Sequence, residues 1–209
     1  MTHLARFFAA ALASLILAGP AGAHPHVWVT VTSQLVYAAD GSATGVRHSW
    51  AFDDMYSAFA TEGLPQKAKG VFTREDLAGL AQVNVESLQE SDFFTFVKAN
   101  GQDLAFGEAS NYWLDYKNEI LTLHFTLPFK TPVKAKDLIV EIYDPTYFVD
   151  FALTEKDPVV LVGAPAQCKL SVQKPGEIGV AQGRQMSEAD FASGTWGANF
   201  ASKIAVKCP

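Results

Sequence analysis

From His26 to Tyr37 the chain alternates, with Val27, Val29, Val31 and Leu35 on one side and His26, Trp28, Thr30, Thr32 and Gln34 on the other. A period of two marks a half-buried strand. Asp40-Gly41 is a hairpin turn signal, and Thr44 to Asp53 alternates again through Val46, His48, Trp50 and Phe52. A turn centred on Asp40-Gly41 sets Asp53 opposite Trp28 and Met55 opposite His26, so Asp53 joins the histidines of the polar face while His48 faces the apolar side. A one-residue slip reverses those faces.

Met55 to Ala60 fits a short helix that ends at Gly63-Leu64-Pro65. Thr73 then reads as the N-cap of a longer helix running to about Glu90, with Leu77, Leu80, Ala81, Asn84 and Leu88 at three-to-four-residue spacing. Strands are expected over 93–99 and 103–106 around the Asn100-Gly101 turn, and over 111–116 and 120–127 around Lys117-Asn118. Further strands are read at 138–143, 147–153, 159–162, 168–172 and 203–208, with a short helix capped by Ser187. The prediction is an α+β fold: mainly antiparallel β-sheet, one main helix packed on it and a short C-terminal helix.

The only long apolar run is N-terminal. Leu4 to Ala18, with Arg6 nearby, is broken by Gly19-Pro20 before the small residues Ala21-Gly22-Ala23. This is the anatomy of a signal peptide cut after Ala23, the bland alternative being an uncleaved anchor. Residues 24–209 are then expected to form one periplasmic domain, with a minor sub-boundary near 156–158. Removal of 1–23 takes only Arg6 and moves the formal charge from −6 to −7. That acidic balance, without a Lys/Arg block, argues against nucleic acid, and no later stretch has the length of an integral membrane segment. Cys168 and Cys208, the only cysteines, are expected to pair with each other in an oxidising compartment.

Processing changes the chemistry of the segment His24-Pro25-His26. A mature N-terminal His24 chelates through its α-amino and ring nitrogens, and His26 lies two residues on, on the same strand face. Pro25 has no N–H, which blocks the amide-wrapped mode of Cu²⁺ or Ni²⁺ binding. What remains is an open site for which Asp53 or Asp54 would supply oxygen, favouring Zn²⁺, with Ni²⁺, Co²⁺ or Cu²⁺ as alternatives. Free α-amino groups ordinarily titrate at about 8 and free imidazoles at about 6.5, so metal uptake by such donors must displace protons. Against this stand plainer readings. The two histidines are solvated at a chain end, Asp53-Asp54 cap the following helix, His48 is a core residue outside the metal set, and His124, between Leu123 and Phe125, is structural. No hydrolase, zinc-protease, phosphate-loop or dinucleotide motif occurs, and the chain is read as non-catalytic. A copper oxidative enzyme is the third reading.

The signal followed by Ala-His-Pro-His-Val-Trp-Val, then Arg47 to Asp53 (RHSWAFD) and Tyr143 to Phe151 (YDPTYFVDF), resembles a bacterial family of unknown function. Its members are labelled as the periplasmic component of an uncharacterised ABC-type transport system. They resemble partners of nickel/cobalt-efflux-type permeases, and some are implicated in zinc acquisition. The resemblance implies metal delivery or sensing beside an inner-membrane metal permease; the ligand set of His24, His26, His48, Asp53 and Asp54 rests on the chemistry above. The rival from another class is a structural or protein-interaction module with incidental histidines.

Overall fold

The alternation that begins at Val27 becomes the central strand of the molecule. In the computed structural model, which describes residues 25–175 and 197–209, β1 (Val27–Tyr37) pairs antiparallel with β2 (Ala43–Phe52). The turn is held by Asp40, whose Oδ1 accepts the Ser42 N–H and O–H, and by Gly41 at φ +80°. Register runs from Val29↔Phe52 to Val36↔Gly45, with one irregularity beside the turn at Val36/Tyr37. Continued outward, it sets Trp28 against Asp53, whose N–H donates to the Trp28 carbonyl at 2.9 Å.

Two sheets follow. The first has the order β5 (Ser110–Lys117), β6 (Ile120–Val133), β2, β1, β8 (Val149–Leu153), with β9 (Val159–Val162) pairing further along β1. β8 and β9 run parallel to β1 and all other pairs are antiparallel. The second sheet is antiparallel throughout: β10 (Lys169–Gln173), β11 (Ser202–Lys207), β7 (Asp137–Ile142), β3 (Thr95–Ala99) and β4 (Gln102–Asp103). Inner faces of both sheets meet in one cluster of buried side chains, including Val31, Trp50, Leu123 and Phe125 from the first and Val97, Val140 and Ile204 from the second. Trp50 stands edge-on to Phe125 at 4.9 Å, a favoured aromatic arrangement that adds to the area buried. The α+β, mainly antiparallel expectation holds.

Helix α1 (Asp54–Thr61) is pinned to the sheet by buried Ser57, whose Oγ donates to the Asp53 carbonyl and accepts the Leu121 N–H at 3.0 Å. Helix α2 (Ala78–Gln89) begins later than Thr73. Thr73 and Asp76 do form a reciprocal cap, the Asp76 Oδ2 accepting the Thr73 N–H at 2.8 Å and the Thr73 Oγ1 accepting the Asp76 N–H at 3.2 Å. The chain then tightens, and the Ala78 N–H reaches the Glu75 carbonyl three residues back, so the cap closes a separate turn before the regular helix.

Other differences are local. Phe93 and Phe94 leave the strand for a left-handed turn (φ 53° and 46°), and the β5–β6 turn uses Asn118-Glu119 (φ 53° and 65°). Phe106 contributes only an isolated bridge to Phe129 in place of a longer β4. The expected helix at Ser187 lies outside the described residues. No helix among those described is long and apolar enough to cross a membrane.

Cys168 and Cys208 form a disulfide that closes the β10–β11 ladder where Lys169 pairs with Lys207. The bond spans 40 residues of sequence, so it restrains a long connection in the unfolded chain. Replacing both cysteines by alanine should lower unfolding free energy by about 3 kcal/mol in denaturant titrations, and wild-type protein under reducing conditions should lose the same amount.

Candidate functional site

His26 stands exposed just before β1. Its N–H donates to the Phe148 carbonyl at 2.8 Å, and its ring centroid lies 4.7 Å from that of Phe148. Next along the outer face comes Trp28, 47% exposed, which pairs across the parallel ladder with Asp150. Val29 and Phe151, the neighbouring pair, both point into the core, so strand alternation places Asp150 on the outer face beside Trp28. Burial pushes the Asp150 carboxyl above the usual carboxylate range, and among the described residues nothing donates a hydrogen bond to it.

The corner that delivers Phe148 and Asp150 depends on Asp144, which is buried. Its Oδ1 accepts the Thr146 N–H and O–H, each at 2.8 Å, and its Oδ2 accepts the Val149 N–H at 3.0 Å. Thus Asp144 orders the turn while Phe148 remains 46% exposed. The aromatic stretch is a structural corner at one end and partly exposed at the other.

The five residues expected to gather around a metal are distributed differently. His24 lies outside the described residues. Asp53 is the cap of α1, and its carboxylate is turned into the sheet plane: Oδ1 accepts the Tyr56 N–H at 2.8 Å and Oδ2 the Trp28 N–H at 2.9 Å. A metal at Asp53 would compete with both bonds. Asp54 is exposed in the first turn, with Oδ1 accepting the Met55 N–H at 2.9 Å. His48 is on the opposite face from His26, 2% exposed, with Nδ1 at 2.9 Å from Ser33 Oγ and Nε2 at 3.4 Å from Thr95 Oγ1. The sheet itself separates His48 from the outer face, which removes it from the metal set. Among the described residues no group of three or more His, Cys, Asp or Glu side chains lies close enough to hold a metal.

A second constellation lies further along the same outer face. Ser49, His124 and Trp113 are successive partners across β2, β6 and β5. Ser49 Oγ is 2.8 Å from His124 Nδ1, and His124 Nε2 is 3.1 Å from Asp115 Oδ2. The Trp113 ring stacks on the imidazole at 4.7 Å and 12°, and the Arg74 guanidinium sits 4.6 Å from the Trp113 ring centre. His124 is half-buried on this face. The signal for it is the β6 pattern, in which Leu121, Leu123, Phe125 and Leu127 are buried and His124 falls out of phase with them. Ser49 and Asp115 become its neighbours only through pairing.

Both constellations belong to a surface whose framework extends over most of the sequence. A family model described as "Protein of unknown function (DUF1007)" matches residues 9–208. The chain belongs to this family. No curated protein matches it. The family match spans both sheets, the capped helix and the disulfide.

Two consequences can be measured. Burial lowers the His48 pKa to about 3, whereas an unfolded histidine titrates near about 6.5. The unfolded state therefore takes up a proton that the folded state refuses, and stability falls as pH drops below about 6.5, by up to about 1.4 kcal/mol per pH unit from this group. In urea titrations His48→Gln should remove that component of the slope. Separately, Asp53→Ala should cost about 1–2 kcal/mol by loss of the cap, seen as a lower unfolding midpoint in metal-free buffer.

Proposed function

We propose that this protein is a periplasmic transition-metal-binding accessory of an inner-membrane metal permease, taking Zn²⁺ first and Ni²⁺ or Co²⁺ next. The observation that carries the reading is convergence: His26 and Trp28, Asp53, and Phe148 with Asp150 come from the three stretches that carry the family resemblance, and they meet at one end of the outer face. His26 offers an exposed imidazole there. A mature chain beginning at His24 would add an α-amino nitrogen and a second imidazole, and Asp150 is the carboxylate beside Trp28 without a hydrogen-bond donor among the described residues. Nitrogen and oxygen donors of this kind suit Zn²⁺, Ni²⁺ and Co²⁺. Because Asp53 is occupied as a cap, its part is to hold the end of β1 in place. A disulfide accords with an oxidising compartment.

The described surface also exposes apolar side chains: Trp28 at 47% and Phe148 at 46% near His26, and Met55 at 70% and Phe59 at 74% on α1. These favour contact with a partner and support the second reading, a non-catalytic interaction module with incidental histidines.

Calorimetric titration with Zn²⁺ and Co²⁺ separates the two. Protein starting at His24 should bind, while one extra N-terminal residue, His26→Ala or Asp150→Asn should each weaken binding by about tenfold or more. Indifference to all three changes would refute this site. Binding no stronger than the buffer control would leave the interaction module.

A further inference from the structure

The Ser49, His124 and Asp115 side chains form a hydrogen-bonded series that the metal reading does not use. We propose that Ser49 is a nucleophile, activated by His124 and oriented through Asp115, and that the groove around it hydrolyses small acyl esters.

An ionised carboxylate only accepts, so His124 Nε2 carries the hydrogen toward Asp115 and Nδ1 presents a lone pair. The Ser49 hydroxyl at 2.8 Å then donates to that lone pair. This is the relation of nucleophile, base and orienting group that acyl transfer requires. Its chain order, Ser49, Asp115, His124, is dispersed over three strands and matches no short motif; such triads are recognised by geometry and not by sequence position. The imidazole has little freedom, since Trp113 covers one ring face and Arg74 in turn covers Trp113. When Nδ1 takes the seryl proton, both Asp115 and the Trp113 π-face offset the positive charge on the ring. Lys117 Nζ shares Asp115 Oδ2 at 3.2 Å, but from a side chain 76% exposed, where such pairs are weak.

A groove of about 310 Å³ opens over these residues, lined in part by Thr32, Arg47, Ser49, Asn111 and His124. Ser49 lies in the middle of a paired strand, so its backbone N–H is within the ladder region and the oxyanion donor must come from side chains. Arg47 is two residues earlier on the same face and exposed, and among the described residues its hydrogen bond is a 3.4 Å contact from Nη1 to Gln34 Oε1. Its fixed positive charge is available to the tetrahedral oxyanion. A groove of this size accommodates a short acyl chain.

In the step assigned here Ser49 Oγ adds to the ester carbonyl carbon while its proton passes to His124 Nδ1. The carbon–oxygen bond to the alcohol breaks as that proton moves to the departing oxygen, leaving acyl-Ser49. Water then adds to the acyl carbon, giving a proton to Nδ1; the bond to Oγ breaks and Oγ recovers the proton. The products are one alcohol and one carboxylic acid, with no redox change.

The test is to treat the full oxidised protein with a fluorophosphonate and locate the adduct by peptide mass spectrometry, with p-nitrophenyl acetate hydrolysis followed in parallel. The adduct is expected on Ser49 and absent from Ser49→Ala, a variant that loses one hydrogen bond to His124 and should still melt cooperatively, at a slightly lower temperature. His124→Gln should slow hydrolysis by about 10²-fold or more and Asp115→Asn by about tenfold, and a chelator should change neither adduct nor rate. Absence of a Ser49 adduct on wild-type protein overturns the proposal, as does hydrolysis that survives Ser49→Ala or disappears with chelator. Because the adduct is read on wild-type protein, a poorly folded His124→Gln leaves the test decisive. Hydrolysis and metal titration fail independently, so a negative result here says nothing against the metal site.

Discussion

The register between β1 and β2 is the constraint on which the rest depends. With Val31 opposite Trp50 and Leu35 opposite Val46, one face of the hairpin supplies a continuous part of the core. Side-chain direction repeats every two residues, so a slip by one would bury Ser49 and Arg47 and expose Trp50 and Phe52. The loss of apolar burial would be prohibitive at roughly 1.5–3 kcal/mol for each large side chain. Asp53 secures the open end of this pairing by accepting one N–H from Trp28 and another from α1. A single carboxylate therefore terminates a strand, starts a helix and keeps the His26 end of β1 in place.

Three imidazoles show how strongly the two faces differ. His48 faces inward, and burial holds it neutral with a pKa of about 3. His26 is exposed at the end of β1, and His124 is half-buried on the outer face between a serine and a carboxylate. They are the same side chain placed in a core, at a candidate metal site and in a candidate proton relay. Their separation follows from sheet geometry: His48 and Ser49 are adjacent in sequence, yet the first packs near Phe125 and the second bonds to His124 on the other side. The outer face thereby carries two separate groups of polar side chains, His26 and Asp150 at the start of β1 and β8, and Ser49 with His124 in the groove across β1, β2, β5 and β6.

Much of the fold was legible because its information is local. Alternation marks β1, β2 and β6, Asp40-Gly41 and Asn100-Gly101 mark turns, and the hairpin arithmetic places Asp53 opposite Trp28 and His48 in the core. Where local signals failed, a competing local turn or a non-local contact had taken over. The Thr73 cap forms, but a tight turn intervenes before Ala78. Phe93 and Phe94 continue an apolar run that reads as strand, yet the chain takes a left-handed turn that stacks Phe93 on Phe125 and sets Phe94 beside Phe151.

The chain's own pattern was enough to decide which residues face inward on β1 and β2, where the β1–β2 and β3–β4 hairpins turn, and that Cys168 would have only Cys208 as a partner. Those are matters of period, turn chemistry and number. Tertiary pairing alone decided that β8 and β9 lie parallel to β1, which brings Asp150 beside Trp28 across more than a hundred residues. It also decided that Asp53 caps instead of projecting outward, and that Ser49, Asp115 and His124 meet. Period tells a side chain which face to occupy. Which strand lies alongside depends on burial and hydrogen bonding summed over the whole sheet, and no window of sequence contains that sum.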